Sequence, residues 1–473
     1  MLVEFGCGGY RAIEGEDTDV APATEDVPDD TIVTDGGDPE LLNLEKRTSS
    51  EISTVFSVTW DTVAASEGWV ESGLTTAYGH RTATSPAAST HTLVVVGAPE
   101  DLDFHWRAVS RVDGVEVVSA DQVHHASAGP PELPRINLDS DGLGAFESSY
   151  RLLTVFADVG GVVMYDDNGD AVWWRLLDLG VGTTQTRFAA DGSGVYYITE
   201  DTTAATDIGA VAYASWDQSV TTSTRAVGGH HDFVILADGR IAYLAVDIRS
   251  YDGFDVVGDM IVEMNADGSD AITIWSTWDN VDDPVVDGCD FGFYEDMCDW
   301  THANSLNLDA TTGEYLISLH NVSTVVGVDP GDHSEGAGRT MWIAGADSSA
   351  SAIVTPREAA FVHQHNFKPV GDDQFVVFDN GPGDYSEVWR YQFDREAGML
   401  EERWSFDYGQ THWAYVLGDV HVLANDDYLI SWGSEGELTE VTADGDIVWY
   451  AYAELGQIFG FVDTQVDVGG PAI

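Results

Sequence analysis

Several histidines of the chain lie in four short segments. Each segment stands beside a strand-like run and a glycine-containing turn. The segments are residues 230–233, 300–305, 318–321 and 363–366. A neutral imidazole can act as a nucleophile or bind a metal, and a protonated one can donate a proton or stabilise negative charge. Because the segments occupy the same place in successive repeats, we predict that their histidines meet at one shared site.

The elements that must carry these histidines are predicted to be β-hairpins. Alternating strand-like runs flank Asp-Gly or Asn-Gly pairs at 168–169, 238–239, 267–268 and 444–445, and such pairs are the strongest short-range signal for a hairpin. No long stretch has a 3.6-residue apolar period, so we expect little helix. Hairpin units repeated over residues 134–473 predict an all-β fold with a β-propeller, for which six blades suit the length best and five or seven are also compatible.

The residues before the propeller divide into two parts. Residues 1–47 are acidic and poor in groups that could pack, which predicts a disordered tether. Residues 48–133 contain short alternating strands, which predict a small antiparallel β-sandwich. Trp60, the turn at 73–79 and the strand at 104–107 resemble those of a fibronectin type III module.

The charge of the chain is strongly negative. It has 82 acidic and 19 basic residues, a formal net charge of −63, and only two lysines, Lys46 and Lys368. This balance disfavours binding to nucleic acids and to anionic membrane surfaces, and is typical of proteins kept soluble at high ionic strength. No apolar run approaches the about 20 residues needed to span a bilayer.

The three cysteines bear on the compartment of the protein. Cys289 and Cys298 bracket a short loop before the second histidine segment, and we predict a disulfide between them, although two free thiols fit the spacing as well. Cys7 lies in a Gly-rich stretch that partly resembles a lipoprotein cleavage site and is a possible lipid anchor. These features predict an exported protein, located in the periplasm, on the cell surface or outside the cell.

The ordered set of motifs resembles the bacterial arylsulfate sulfotransferases. The resemblance covers most of residues 135–473 and rests on the motifs His231-Asp232-Phe233, Trp300-Thr301-His302-Ala303-Asn304-Ser305, Tyr315 to Leu319, Gln364-His365-Asn366, Phe378-Asp379-Asn380-Gly381 and Glu437 to Trp449. It implies an exported six-bladed propeller behind an N-terminal β-sandwich. It also implies transfer of a sulfuryl group from a phenolic sulfate ester to a phenol through a sulfohistidine, without a nucleotide sulfate and without a cofactor.

The resemblance also implies roles for individual residues. His365 corresponds to the nucleophile, and His302 with Asn304 corresponds to the His-x-Asn pair of the family. His231 corresponds to the histidine before the Asp of the first segment. His320 stands where the family pattern Ser-Leu-Arg has an arginine, so this chain lacks a permanent, fork-shaped cation at that position and has one only when His320 is protonated.

Strand periodicity predicts which side chains accompany these histidines, because residues two apart in a strand share a face. We therefore expect His363 beside His365, and Asn304 beside His302, both as substrate-binding groups. Only one of His230 and His231 should line the site, and the resemblance selects His231.

Two other functions are compatible with the same residues. Imidazoles of His231, His302, His363 and His365 could hold a transition metal, and an acidic loop at 279–290 could bind calcium. The propeller could also bind a phenolic or sulfated ligand, or a partner protein, without catalysis. The sequence leaves the donor, the acceptor and the oligomeric state open.

Overall fold

The structure is a computed structural model of the whole chain. It describes residues 41–112, 114–139, 149–157, 159–201, 209–281, 294, 297–345, 361–453 and 457–471. Cys7, Cys289 and most of the acidic loop lie outside these residues, so the lipid anchor, the disulfide and a calcium site stay predictions. No helix in the described part of the chain is long and apolar enough to cross a membrane.

The N-terminal domain is a β domain of seven strands that are consecutive in the chain. They are β1 (Leu42–Thr48), β2 (Phe56–Gly73), β3 (His80–Arg81), β4 (Ser85–Val95), β5 (Asp103–Val112), β6 (Val115–Val118) and β7 (Gln122–His125). The first half of β2 pairs with β1 and β4, and its second half pairs with β3 and β5. The indole of Trp60, in the first half, donates a hydrogen bond to Ser110 of β5 at 2.8 Å. The two halves therefore pack face to face around one apolar core.

The boundary expected at residue 47 is wrong. Residues 42–48 form β1, and Leu41 and Leu44 are buried in the core of the N-terminal domain. These leucines supply the apolar surface that the rest of the acidic segment lacks, and burying such surface favours ordering of the strand. The predicted tether therefore loses at least its last seven residues to the folded domain.

Strands are the main secondary structure in the rest of the described chain. They are β8 (Ile136–Leu138), β9 (Tyr150–Phe156), β10 (Gly161–Tyr165), β11 (Ala171–Leu176), β12 (Val181–Gly182), β13 (Thr186–Phe188), β14 (Gly194–Asp201), β15 (Gly209–Ser215), β16 (Thr221–Ala226), β17 (Gly229–Ile235), β18 (Ile241–Tyr251), β19 (Phe254–Met264), β20 (Ile272–Ser276), β21 (Cys298–Asp299), β22 (Ala303–Leu308), β23 (Tyr315–Leu319), β24 (Thr324–Asp329), β25 (Arg339–Gly345), β26 (His365–Gly371), β27 (Gln374–Asp379), β28 (Glu387–Asp394), β29 (Met399–Phe406), β30 (Asp419–Val422), β31 (Tyr428–Ser431), β32 (Glu437–Val441), β33 (Ile447–Ala453), β34 (Ile458–Gln465) and β35 (Gly470–Pro471). Among the residues that the structure describes, the helical segments are α1 (Thr277–Asn280) and the 3₁₀ turns Tyr408–Gln410 and Gly433–Glu435.

These strands form six antiparallel sheets arranged as a six-bladed propeller, which confirms the prediction. Five blades follow chain order, with inner strands β12 and β13 together, β17, β22, β26 and β30. The remaining blade joins β9, β10 and β11 to the C-terminal strand β34, and β8 adds to the outer edge of the last blade. The ring is thus closed by strands from both ends of the propeller. The last strand, β35, leaves the propeller and pairs with β4 of the N-terminal domain. The propeller therefore ends before residue 473, where we expected its boundary.

The predicted hairpin turns are present. Gly169, Gly239, Gly268 and Gly445 have φ values of 78°, 86°, 81° and 88°, in the left-handed region that glycine adopts without steric cost. Gly239 connects the inner strand β17 to β18, and the other three connect middle or outer strands of their blades.

Buried polar residues link neighbouring inner strands around the centre. Asp232 of β17 accepts the backbone N–H of Leu306 in β22 at 2.8 Å, and Asp419 of β30 accepts that of Val462 in β34 at 2.9 Å. Asn366 of β26 donates to Asp419 at 2.6 Å. A backbone donor in a buried position needs such a partner, so these bonds fix the inner strands relative to one another.

Candidate functional site

The structure brings all four histidine segments together as a connected cluster of imidazole rings. The ring centroid of His302 lies 4.9 Å from that of His231 and 5.5 Å from that of His320. His320 in turn lies 5.0 Å from both His363 and His365. We call His230, His231, His302, His320, His363 and His365 the histidine cluster.

Irregular backbone at the starts of the inner strands places these rings. His231, His302 and His363 have φ values of 55°, 47° and 54°, a conformation that is uncommon for residues other than glycine. The pairing register shifts between His230 and Phe233, and between Ala303 and Ser305. Local strain of this kind is frequent at functional sites.

The prediction that only one of His230 and His231 lines the site is wrong. The Nδ1 atoms of the two rings lie 2.9 Å apart, and both side chains are buried. The strand alternation behind that prediction requires regular extended backbone. The bulge and the positive φ of His231 break the alternation, so the two consecutive histidines belong to one cluster.

The two predicted pairs, His363 with His365 and Asn304 with His302, lie in different surroundings. His363 is exposed, whereas His365 is 1% exposed, although both rings contact His320. The cluster therefore opens to solvent at His363. Asn304 is fully buried, and its Nδ2 donates to the backbone carbonyl of Gln364 at 2.8 Å. Asn304 thus anchors the segment that carries His365.

The protonation of His365 is fixed by Asn380. The Nδ2 of Asn380 donates to the carbonyls of Ala414 and Leu417 at 2.7 and 2.8 Å, so its Oδ1 faces Nδ1 of His365 at 2.8 Å. An amide oxygen only accepts hydrogen bonds, so Nδ1 of His365 must carry a hydrogen. The lone pair of the neutral ring is then on Nε2, which accepts the backbone N–H of Leu417 at 3.3 Å.

His320 is held in the same manner. Asn321 donates from Nδ2 to the carbonyl of Asp299 at 3.0 Å and accepts from Nδ1 of His320 with Oδ1 at 2.8 Å. The neutral His320 ring therefore also has its lone pair on Nε2. His320 and His365 each have an amide behind Nδ1.

Two other histidines face carboxylates. Nδ1 of His302 lies 2.6 Å from Oδ2 of Asp299, and Nε2 of His230 lies 3.1 Å from Oδ1 of Asp259. Both carboxylates are about 2% exposed. A carboxylate at this distance stabilises the imidazolium form of its partner, so these are the positions in the cluster suited to a positive charge.

Burial keeps the amide-held rings neutral. Desolvation lowers the pKa of His365 to about 3, despite the hydrogen bond to Asn380, and the neighbouring His302 and His363 add to the decrease. Desolvation and the charges of His365 and His302 also lower the pKa of His320 well below its usual value. The pKa of His231 is lowered well below the usual value by its complete burial and by the surrounding histidines. Burial therefore keeps His365 unprotonated at neutral pH, with its lone pair on Nε2.

Sequence reasoning missed the residues behind the rings, namely Asp259, Asp299, Asn321 and Asn380. Asp259 lies in the apolar strand β19 and Asp299 directly precedes the Trp300-Thr301-His302 motif. The strand β19 also contains Asp255 and Glu263, and in a chain with 82 acidic residues single carboxylates do not stand out.

The alternative of a metal site is not supported by the geometry. Within the described ranges, no group of three or more histidine, cysteine, aspartate or glutamate side chains is arranged to hold a metal ion. Cys298 is buried, and the loop that contains Cys289 is outside those ranges.

Comparisons with known proteins identify a family. The model of the arylsulfotransferase (ASST) family matches residues 143–454, which include the whole histidine cluster. No curated protein matches the chain.

Solved structures show more distant similarity. A protein of unknown function from Bacteroides caccae covers 67% of this chain and 99% of its own, at 12% identity and a TM-score of 0.44. The periplasmic gluconolactonase of Pseudomonas aeruginosa covers 69% of this chain and 98% of its own, at 11% identity and a TM-score of 0.39. Similarities this low carry no argument about activity.

Proposed function

Since the chain belongs to the arylsulfotransferase (ASST) family, we propose that it transfers a sulfuryl group from an aryl sulfate ester to a phenol through a sulfohistidine at His365. The observation that carries this proposal is the fixed tautomer of His365. Its Nδ1–H is bound to Asn380, and its Nε2 has the lone pair in a ring that stays neutral down to a pH of about 3.

In the first half of the reaction, Nε2 of His365 attacks the sulfur of the donor. An N–S bond forms, the bond between sulfur and the aryl oxygen breaks, and the departing phenolate oxygen takes up a proton. In the second half, the oxygen of the acceptor phenol attacks the sulfur and loses its proton, and the N–S bond breaks. Both halves use the same groups in opposite directions, as expected for a ping-pong reaction.

In the proposed reaction, the carboxylate-backed His302 stabilises the sulfuryl oxygens. Its ring contacts those of His231 and His320, and Asp299 holds its Nδ1–H. In the imidazolium form, Nε2–H points a charged donor away from Asp299 toward the rest of the cluster. A charged donor aimed at developing negative charge in a buried site stabilises the transition state by about 3 kcal/mol.

The test is covalent labelling of the whole protein. After incubation with phenyl sulfate or 4-nitrophenyl sulfate, intact-mass spectrometry should show addition of one sulfuryl group, and a phenol acceptor should remove it. His365→Asn should abolish both the adduct and turnover, a loss of more than about 10⁴-fold. His421→Asn is the matched control, because His421 lines a cavity with Lys368 and Arg390 rather than the cluster, and should leave the adduct unchanged. An adduct that persists in His365→Asn, or no adduct in the unaltered protein, would contradict the proposal.

A further inference from the structure

Asp259 and two members of the histidine cluster, His230 and His231, form a continuous line of buried groups. Oδ1 of Asp259 lies 3.1 Å from Nε2 of His230, and Nδ1 of His230 lies 2.9 Å from Nδ1 of His231. The other oxygen of Asp259 is already occupied, because it accepts from the hydroxyl of Thr301 and from the backbone N–H of Ala303. Asp259 therefore presents one oxygen to His230 in a fixed direction.

We propose that Asp259, His230 and His231 form a proton relay that gives a proton to the departing phenolate and takes one from the acceptor phenol. This inference rests on the proposed function. Within it, His231 is the member that touches the substrate oxygen, and His230 and Asp259 are positioning residues that act through His231.

The proton balance of the relay closes over the two half-reactions. In the loaded form, His230 is an imidazolium whose Nε2–H lies beside Oδ1 of Asp259 and whose Nδ1–H donates to Nδ1 of His231, and His231 has its proton on Nε2. The departing aryl oxygen takes the proton from Nε2 of His231, while the proton on Nδ1 of His230 moves to Nδ1 of His231. The acceptor phenol then gives its proton to Nε2 of His231, and the reverse shift restores the loaded form.

The surroundings of the two rings differ, with a carboxylate beside His230 and other imidazoles around His231. His231 is surrounded by His230, His302, His320 and His365, which together with burial lower its pKa. Its backbone N–H is bound by Glu200 of β14 at 2.7 Å. His230 instead faces Asp259. Although burial alone would raise the pKa of Asp259, the hydrogen bond and charge of His230 lower it, so the carboxylate stays ionised beside the imidazolium.

Two substitutions of His230 separate a relay from a packing role. His230→Gln can bridge Asp259 and His231 by hydrogen bonds but cannot pass a proton through an amide, and His230→Phe can do neither. The readout is the rate of sulfuryl adduct formation with two donors. Phenyl sulfate has a strongly basic leaving oxygen that needs a proton, whereas 4-nitrophenolate is stabilised by its nitro group and leaves without one.

With a relay, both variants lose about 10²-fold or more with phenyl sulfate and no more than about threefold with 4-nitrophenyl sulfate, in keeping with the usual contribution of general acid catalysis. His91→Gln, at a buried histidine of the N-terminal domain, is the matched control and should leave both rates unchanged. Equal losses with the two donors, or full rescue of the phenyl sulfate rate by His230→Gln, would overturn the relay. Failure of the unaltered protein to react with either donor would instead overturn the proposed function.

Discussion

The two sides of the histidine cluster differ in what stands behind the rings. On the carboxylate-backed side, Asp299 holds His302 and Asp259 faces His230. On the amide-backed side, Asn380 holds His365 and Asn321 holds His320. Asp299, Asn380 and Asn321 each accept a hydrogen bond from an imidazole and Asp259 lies 3.1 Å from one, but only the carboxylates carry charge.

This difference gives one residue type two chemical roles. An amide fixes the tautomer of an imidazole but stabilises its protonated form too little to offset burial, so the buried ring stays neutral. A carboxylate fixes the tautomer and also stabilises the imidazolium. Sulfuryl transfer through a histidine needs both a neutral nucleophile and nearby cations. The backing residues divide the cluster accordingly.

The largest expected effect on this difference is that of Asp299→Asn, which replaces the carboxylate behind His302 with an amide. Removal of the carboxylate withdraws the stabilisation of the imidazolium, so the charged donor to the sulfuryl oxygens is lost. We expect the rate of transfer to fall by about 10²- to 10³-fold. The rate of adduct formation with phenyl sulfate and with 4-nitrophenyl sulfate is the measurement.

The two donors distinguish Asp299 from the relay. Loss of a cation at the sulfuryl oxygens should slow both donors equally, in contrast to the selective effect expected of His230→Gln. A selective effect of Asp299→Asn on phenyl sulfate would mean that His302 handles the proton of the phenol. In that case the assignment of His302 to the sulfuryl oxygens is wrong.

The sequence predicted which segments form the histidine cluster. It did not predict that carboxylates stand behind two of the rings and amides behind two others. Hairpin turns such as Asn168-Gly169 and the spacing of the histidine motifs were enough for the six blades and for the meeting of the segments, because both depend on local pattern. The backing residues come from other places in the chain, as Asp259 does for His230, and such pairings depend on how the blades meet. The alternation rule failed at His231 because a bulge is invisible to periodicity.

A second prediction sharpens the comparison at His320. Burial and neighbouring rings lower its pKa well below the usual value, so at pH 7 the position lacks a cation, and transfer should accelerate as the pH falls toward that pKa. His320→Arg places a permanent charge there. We expect kcat/KM at pH 7 to rise roughly tenfold, since a charged hydrogen bond contributes about 1.5 kcal/mol, and the pH dependence to flatten.

Asn321→Asp is the matched variant, because it keeps His320 and changes only its backing. The new carboxylate should raise the pKa of His320, so the gain should be present at low pH and disappear as the pH rises through the raised value. If both variants leave kcat/KM and its pH profile unchanged, His320 does not contact the sulfuryl group.

The smallest effect concerns stability, and it tests whether the amide-backed ring is neutral in the folded protein. His365 has a pKa of about 3 when folded and about 6.5 when unfolded. Above pH 6.5 the ring is neutral in both states, and its full contribution to stability is present. As the pH falls below 6.5, the unfolded chain binds a proton that the folded protein does not, so stability decreases until the pH approaches the folded pKa. Between pH 6.5 and 5 the loss of stability amounts to about 2 kcal/mol.

The variant His365→Asn lacks this titration. On acidification, the Tm of the unaltered protein should therefore fall by a few degrees more than the Tm of the variant. Parallel shifts would show that His365 takes up its proton over the same pH range in the folded and the unfolded protein, which contradicts a ring kept neutral by burial.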